Sequence, residues 1–326
     1  MILQYIISYF YYFCIVITFI MNNKAKGYVL AAISAATYGM NPLFALPLYA
    51  DGMSVDSVLF FRYLFAVPMV ALMVKSRGRD FKMEKRELLP LLMVGVFFTL
   101  SSITLFRSYH YMDSGIASTI LFVYPVMVAL IMALFFKEKI ALQTWICIAL
   151  ALGGIGLLYK APGGTTLSLV GILFVLGSAL AYTLYIITVN KSILKDVATV
   201  KVTFYVILQG FIIFAAMALA KGELHTPTKW YLWGDLVAFA LFPTVISMYC
   251  ATKAIVYIGS TSTAILGALE PVTAVLFGVT LFGETLGLRD ITGLLLIIVS
   301  VTMVVAGGSV ASPLVRFRKL FPKLKK

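Results

Sequence analysis

Charge is scarce in this chain. Only 12% of its 326 residues are charged, 13 of them acidic, and it holds just two histidines and three cysteines. A soluble protein carries about a quarter charged residues, so an ordinary water-soluble domain is excluded. His110 and His225 are remote from each other in sequence, and Cys14, Cys147 and Cys250 lack any paired spacing. No metal centre or disulfide framework is therefore expected, and the cysteines read as small apolar residues. Long polar loops are missing too. The longest, Lys75–Glu87, spans 13 residues, too few for an ATP-binding domain. The H-E-x-x-H, P-loop and G-x-S-x-G patterns are absent, so enzyme chemistry and a cofactor are not expected.

What the chain has in abundance is long apolar runs, with 62% hydrophobic residues. They show no alternating apolar/polar period of the kind a barrel strand needs, and a helix needs about 20 such residues to span a bilayer. Ten segments qualify, at 28–49, 56–74, 88–108, 114–136, 142–159, 169–190, 199–220, 232–254, 261–282 and 289–307. Their landmarks recur after about 145 residues. Gly27, Ser34 and Tyr38 return as Gly171, Ser178 and Tyr182; Arg107, Tyr111, Ser114, Pro125 and Glu138 return as Lys253, Tyr257, Ser260, Pro271 and Glu284. Five segments per copy is an odd number, so the second copy enters the membrane from the opposite side. The expected fold is all-α and polytopic, with ten transmembrane helices as two inverted five-helix repeats, 27–160 and 161–307, a signature of secondary transporters.

Loop charge predicts the orientation. With 27 on the cytoplasmic side, 20 of the 26 Lys and Arg fall on that side, five on the other, and Arg62 lies inside a helix. This is a strong positive-inside bias, and it accounts for the net charge of +13 without nucleic acid as a partner. The location expected is the plasma membrane, the inner membrane of a bacterium, with the repeat start and the C-terminus cytoplasmic. The basic tail 308–326 is expected to lie on anionic lipids. Residues 1–26 form an extension whose first 20 are apolar and uncharged. They read either as an eleventh helix or as residues upstream of a true start at Met21.

The repeat resembles the drug/metabolite transporter superfamily in its EamA-type branch. The likeness rests on 27–39 (Gly-Tyr-Val-Leu-Ala-Ala-Ile-Ser-Ala-Ala-Thr-Tyr-Gly), Phe61-Arg62-Tyr63, the stretch 108–118, Tyr124-Pro125, Lys137-Glu138, Glu270-Pro271 and Gly283-Glu284. The resemblance implies an exporter of amino acids or related metabolites, driven by exchange or by a proton gradient.

Candidate site residues come from charge and shape. Glu270 lies about nine residues into the ninth segment, where a charged side chain costs about 2.5–3.5 kcal/mol on insertion scales. It reads either as a cavity carboxylate that takes a substrate amine or a proton, or as a structural carboxyl bonded to a neighbouring helix. Its repeat equivalent is Tyr124. Arg62 either meets an anionic substrate group or snorkels to the interface or an ion pair; Val206 stands near its matching place. Tyr38, Asn41, Tyr182 and Tyr185 lie on matching faces and offer hydroxyls and rings for an ammonium, or simply pack helices. Pro125, Pro271, Gly267, Gly39 and Pro42 mark irregular points suited to gating, with the carbonyls of Leu121 and Gly267 freed by the prolines. Glu138 and Glu284 read as caps on the fifth and tenth helices or as partners for nearby bases. Trp145 and Trp233 read as interface residues.

The expected function is secondary transport of a small polar metabolite by alternating access, with substrate held between the first, third, fourth, sixth, eighth and ninth helices and protons as a possible coupling partner. A channel-like facilitator or exchanger, and further off a membrane enzyme or lipid-handling scaffold, stand as alternatives.

Overall fold

The computed structural model describes residues 23–136, 142–159, 168–222, 224–267, 269–300 and 302–303. Residues 1–22 of the N-terminal extension, Glu138 and the basic tail 308–326 lie outside them. Every element among the described residues is helical. The first span is two pieces, α1 (Asn23–Gly39) and α2 (Asn41–Ala50). Then come α3 (Val55–Ser76), α4 (Lys85–Ser108), α5 (Ser114–Leu121), α6 (Tyr124–Phe136) and α7 (Leu142–Tyr159). The second copy contributes α8 (Leu169–Lys191), α9 (Thr199–Lys221), α10 (Leu232–Phe239), a π-helical stretch Ala240–Ile246, α11 (Ser247–Leu266), α12 (Leu269–Phe282) and α13 (288–300). Seven of the described helices, counting joined pieces as one, are long and apolar enough to cross a membrane, and Leu269–Phe282 is a shorter apolar one.

Local chemistry sets many of the ends. The Ser54 hydroxyl accepts the Ser57 N–H to start α3, Glu84 and Glu87 form a reciprocal capping box on α4, and Ser168 caps α8, each satisfying amides that a helix start leaves open. Gly222, at φ 65°, closes α9 in the left-handed conformation that favours glycine.

The two copies exchange partners across the bundle. α1 packs on α11 of the other copy, and α8 packs on α4 in the mirrored way. α3 meets α9, and α5 meets α12. The same relation appears in single hydrogen bonds. Ser34 Oγ donates to Ser247 O at 2.8 Å, and Ser247 Oγ returns a bond to Ser34 O at 3.0 Å. In the mirrored interface Ser178 Oγ donates to Ser101 O at 2.7 Å. Gly27 lies against Tyr257 and Ile258, and its equivalent Gly171 lies against Tyr111 and Met112, so a Cβ on either would collide. Gly154 of α7 lies equally close to the Gly293 carbonyl of α13. Small residues permit such approach in membranes, where packing and interhelical hydrogen bonds replace the hydrophobic drive.

The eighth and ninth segments are joined within helical backbone, which runs through 255–260 in α11. The chain still doubles back between Ile258 and Glu270, because Gly27 near the start of α1 lies against Tyr257 and Ile258 while Gly39 at its end lies against Glu270 and Thr273. The matching region of the first copy, Tyr109–Asp113, is a non-helical turn, and Asp113 there stands at the N-cap of α5.

Candidate functional site: two matched helix breaks

The fourth and ninth segments break at equivalent places. In the first copy the break falls at Phe122–Val123 and α6 begins with Tyr124; in the second it falls at Gly267, with Glu270 in the first turn of α12. Glu270 is therefore not inside a continuous helix, as its position in the ninth segment suggested, but at an interruption. Pro125 and Pro271 occupy first-turn positions of the new helices, where a missing N–H costs nothing. The carbonyl of Gly267, expected to be open, accepts the Glu270 N–H at 2.9 Å. The turn at the break recovers the bond that the proline removes.

The end of α1 meets this break directly. A Cβ at Gly39 would stand 2.5 Å from Glu270 O and 2.7 Å from Thr273 Cβ, so glycine is what lets the two chains touch. Immediately after it the span breaks again at Met40, and α2 begins with Asn41 and Pro42. Pro42 thus starts a helix and does not kink one. In the mirrored joint Thr183 occupies the place of Gly39, and its hydroxyl, which donates to Ala179 O at 2.8 Å, also reaches Tyr124 O at 3.2 Å. Tyr38 and Tyr182, equivalent residues, flank these joints. Glu270 lies within electrostatic reach of Tyr38, Tyr109, Tyr124 and Tyr182.

Four of the expected aromatic and acidic candidates therefore converge: Glu270, Tyr38, Tyr124 and Tyr182. Tyr185 joins through its ring, stacked on Tyr182 with centroids 5.6 Å apart, while Tyr124 meets Tyr182 edge-on at 4.8 Å. Phe98 of α4 closes the cluster against Tyr185 at 5.3 Å. Asn41 is buried, and its Oδ1 has no hydrogen-bond partner, an acceptor left open beside the α1–α2 break. A buried orphan of this kind costs about 1–3 kcal/mol and calls for a reason.

Arg62 does not snorkel. It is 4% exposed, its Nε donates to Thr244 Oγ1 at 2.9 Å, and its guanidinium sits 4.4 Å from the Phe239 ring centroid and 5.4 Å from that of Phe106. No carboxylate forms an ion pair with it among the described residues. The aromatic faces supply partial compensation for a buried cation. Thr244 lies in the π-helical stretch, a local widening often found at functional sites. Pro243 within it explains why the ordinary helix ladder is not kept there.

Several contributors escaped sequence reading. Tyr109, whose buried hydroxyl meets no partner in hydrogen-bond geometry, lies within electrostatic reach of both Glu270 and Arg62. Thr244, Thr183, Phe106 and Phe239 are ordinary membrane-helix residues, with no sequence signal beyond repeat position.

Glu284 has a different task from the one expected. Its carboxylate accepts Ser114 N at 2.9 Å, Ser114 Oγ at 2.6 Å and Gly115 N at 3.3 Å. It therefore caps α5, the start of the fourth segment in the other copy, and not the tenth helix. Asp113 at the N-cap makes no side-chain cap bond, so the anionic cap is imported across the repeat boundary, where the helix dipole favours it. Burial first, then the neighbouring Glu284 and Asp290, pushes the Asp113 carboxyl above its ordinary range. At the same end of the bundle Asp51 accepts Thr228 Oγ1 at 2.6 Å and Thr228 N at 2.8 Å, and these bonds hold its carboxyl below the usual value. His225 N donates to Ser57 Oγ at 3.0 Å, and Arg107 pairs with Asp56 at 3.6 Å. The two copies are tied together here at several points.

A duplicated helical bundle with broken helices meeting at a partly polar centre defines a membrane transport protein. The EamA-like transporter family matches this chain twice, over residues 25–160 and 169–306, and the chain belongs to that family. It is similar to the uncharacterized transporter YcbK of Bacillus subtilis (strain 168), at 23% identity over 288 residues, covering 84% of this chain and 90% of the relative. An uncharacterized transporter of Archaeoglobus fulgidus is 25% identical over 262 residues, covering 80% of this chain and 89% of the relative. A crystal structure at 15% identity superposes with a TM-score of 0.64, over 85% of this chain and 97% of that one, a likeness of fold.

Proposed function

We propose that this transporter moves a small polar metabolite bearing an amine, an amino acid or a related compound, by alternating access, with Glu270 as the central binding carboxylate. The observation that carries the reading is Glu270 at the α11–α12 break, within electrostatic reach of four tyrosines. A carboxylate and aromatic faces together suit an ammonium, and the open Asn41 Oδ1 is a further acceptor for its protons. Arg62, held by Thr244 and two phenyl rings, is the matching donor for a carboxylate on the same substrate.

Alternating access draws support from the paired architecture. Each break lies at one copy's joint with the other, so rocking of one copy against the other moves both breaks at once. The ties at Asp51–Thr228 and Glu284–Ser114 hold one end of the bundle together. A cavity opens at the opposite end, lined by Arg77, Arg79 and Lys253. The charge bias supports reading that end as cytoplasmic and this state as inward-facing, and export is the direction that the superfamily resemblance favours.

The test is counterflow in liposomes loaded with candidate amino acids, with and without a pH gradient. Wild type should exchange label with saturation, and Glu270→Gln should lose at least ten-fold in rate while reaching the membrane normally. Unaltered saturable flux in Glu270→Gln removes the carboxylate from the mechanism. Flux that never saturates points to a facilitated channel instead.

A further inference from the structure

The cavity at the Arg77 end enters the reading above only as an opening; the charge it gathers is not used there. It has a volume of about 380 Å³ and is lined by Arg77, Arg79, Ala198, Thr199, Val200 and Lys253. Three of these six are cationic and none is acidic. Arg77 follows α3, Arg79 lies two residues on, and Lys253 lies in α11, so the cations come from both copies. Arg77 stacks its guanidinium 4.6 Å from the Tyr249 ring centroid, yet its Nη2 is fully buried with no hydrogen-bond partner. A guanidinium has five donors in a fixed fork, and this one holds a donor unspent.

The remaining lining residues are the N-cap and the first two residues of α9, a helix of 23 residues. Alanine is among the poorest N-caps, and Ala198 makes no side-chain cap bond. Four other helix starts are served by Ser54, by Ser168, by the Glu84–Glu87 box and by the imported Glu284, whereas α2 and α10 also begin without a side-chain cap; α9 differs from these in opening beside a cationic cavity. At α9 the open amides and the positive end of the helix dipole face a cavity already carrying three positive charges. That arrangement is unfavourable when empty and favourable around an anion.

We propose that this cavity is an anion-binding vestibule, taking a carboxylate or phosphate group between Arg77, Arg79, Lys253 and the uncapped start of α9. The group belongs to a small soluble anion or to a lipid headgroup, since both present the same oxygens. This proposal stands apart from the transport reading, because binding is measured without flux.

The experiment uses the full chain in neutral detergent. The thermal midpoint is followed as inorganic phosphate or pyrophosphate replaces chloride at constant ionic strength. Wild type should gain several degrees, pyrophosphate more than phosphate. Arg79→Gln, at an exposed position that leaves the fold intact, should lose at least half of the gain, and Arg77→Gln with Lys253→Gln all of it. Arg86→Gln, an exposed cation outside the cavity, should keep the full gain. Equal gains in wild type, Arg79→Gln and the double variant would overturn the proposal, as would no gain in wild type. Native mass spectrometry separates the sources. Phosphatidylglycerol retained by wild type, lost in the double variant and displaced by pyrophosphate identifies a headgroup site. The phosphate response without retained lipid identifies a site for a soluble anion.

Discussion

The two central joints share a frame and differ in chemistry. In one, Gly39 sits directly against the Glu270 backbone; in the other, Thr183 fills the same place and bonds to Tyr124 O. Tyr38 and Tyr182 flank them equivalently, but a carboxylate stands on one side and a phenol on the other. Arg62 likewise has only the buried Val206 as counterpart. Duplication preserved parts that let helices approach, bend and swap partners, namely the paired serines, the Gly27–Gly171 pair and the first-turn prolines. It did not preserve the two charges of the central region, Glu270 and Arg62. In the proposed mechanism the symmetric residues support two alternative packings, and the unmatched ones bind the substrate.

The sharpest way to break that comparison is to erase its asymmetry. Glu270→Tyr, which makes the second joint resemble the first, should abolish transport while membrane levels stay normal. The reciprocal Tyr124→Glu on that background should not restore it, because Thr183 and not Gly39 faces that position. Rescue in the double variant, read as liposome counterflow, would show the joints to be interchangeable. Arg62→Met should follow, losing at least ten-fold in counterflow. Its stability change should stay within about 3 kcal/mol, the range for a hydrogen bond to a charged group, and a thermal melt separates the two effects.

Gly39→Val tests the frame itself. Its Cβ would meet backbone, which cannot swing aside, so a destabilisation of about 1–3 kcal/mol is expected from overpacking. Thr183→Val in the mirrored joint should cost less, about 1 kcal/mol for one hydrogen bond. Chemical denaturation of the two variants in the same detergent ranks them, and the reverse ranking would contradict the geometry.

Glu284→Gln removes an anionic cap and should lower stability by about 1 kcal/mol, read as a lower thermal midpoint. Asp51→Asn should give the smallest effect, a modest rise in opening at the Thr228 end, read by labelling of a cysteine placed at Lys229. The sign of its pH dependence follows from its depressed carboxyl. The tie is complete above the ordinary aspartate value of about 3.9 and is lost as pH falls through the lower folded value. Labelling should therefore be flat near neutrality and rise only in strong acid.

Local features were legible from residue order. Apolar runs gave the helices, the 145-residue recurrence gave the two copies, and Glu270 and Arg62 stood out because charge is costly in a bilayer. Pro125, Pro271 and Gly267 marked the breaks, although sequence could not tell that the prolines begin new helices. What stayed hidden depends on distant partners. Gly39 looks like any small residue until Glu270 arrives against it. Tyr109 and Thr244 carry no pattern. Residue order marks Glu284 as a cap on the tenth helix or a partner for nearby bases, but the helix it caps lies 170 positions away and only the fold brings the two together.

That assignment has a consequence for biogenesis. Ser114 and Glu284 are separated by 170 positions, so the ribosome delivers the start of α5 long before the carboxylate that completes it. At about 5–20 residues per second, the nascent helix waits roughly ten to thirty seconds with bare amides at the membrane surface. The first copy is therefore unfinished when it leaves the translocon, and its maturation is deferred until the ninth segment has been threaded.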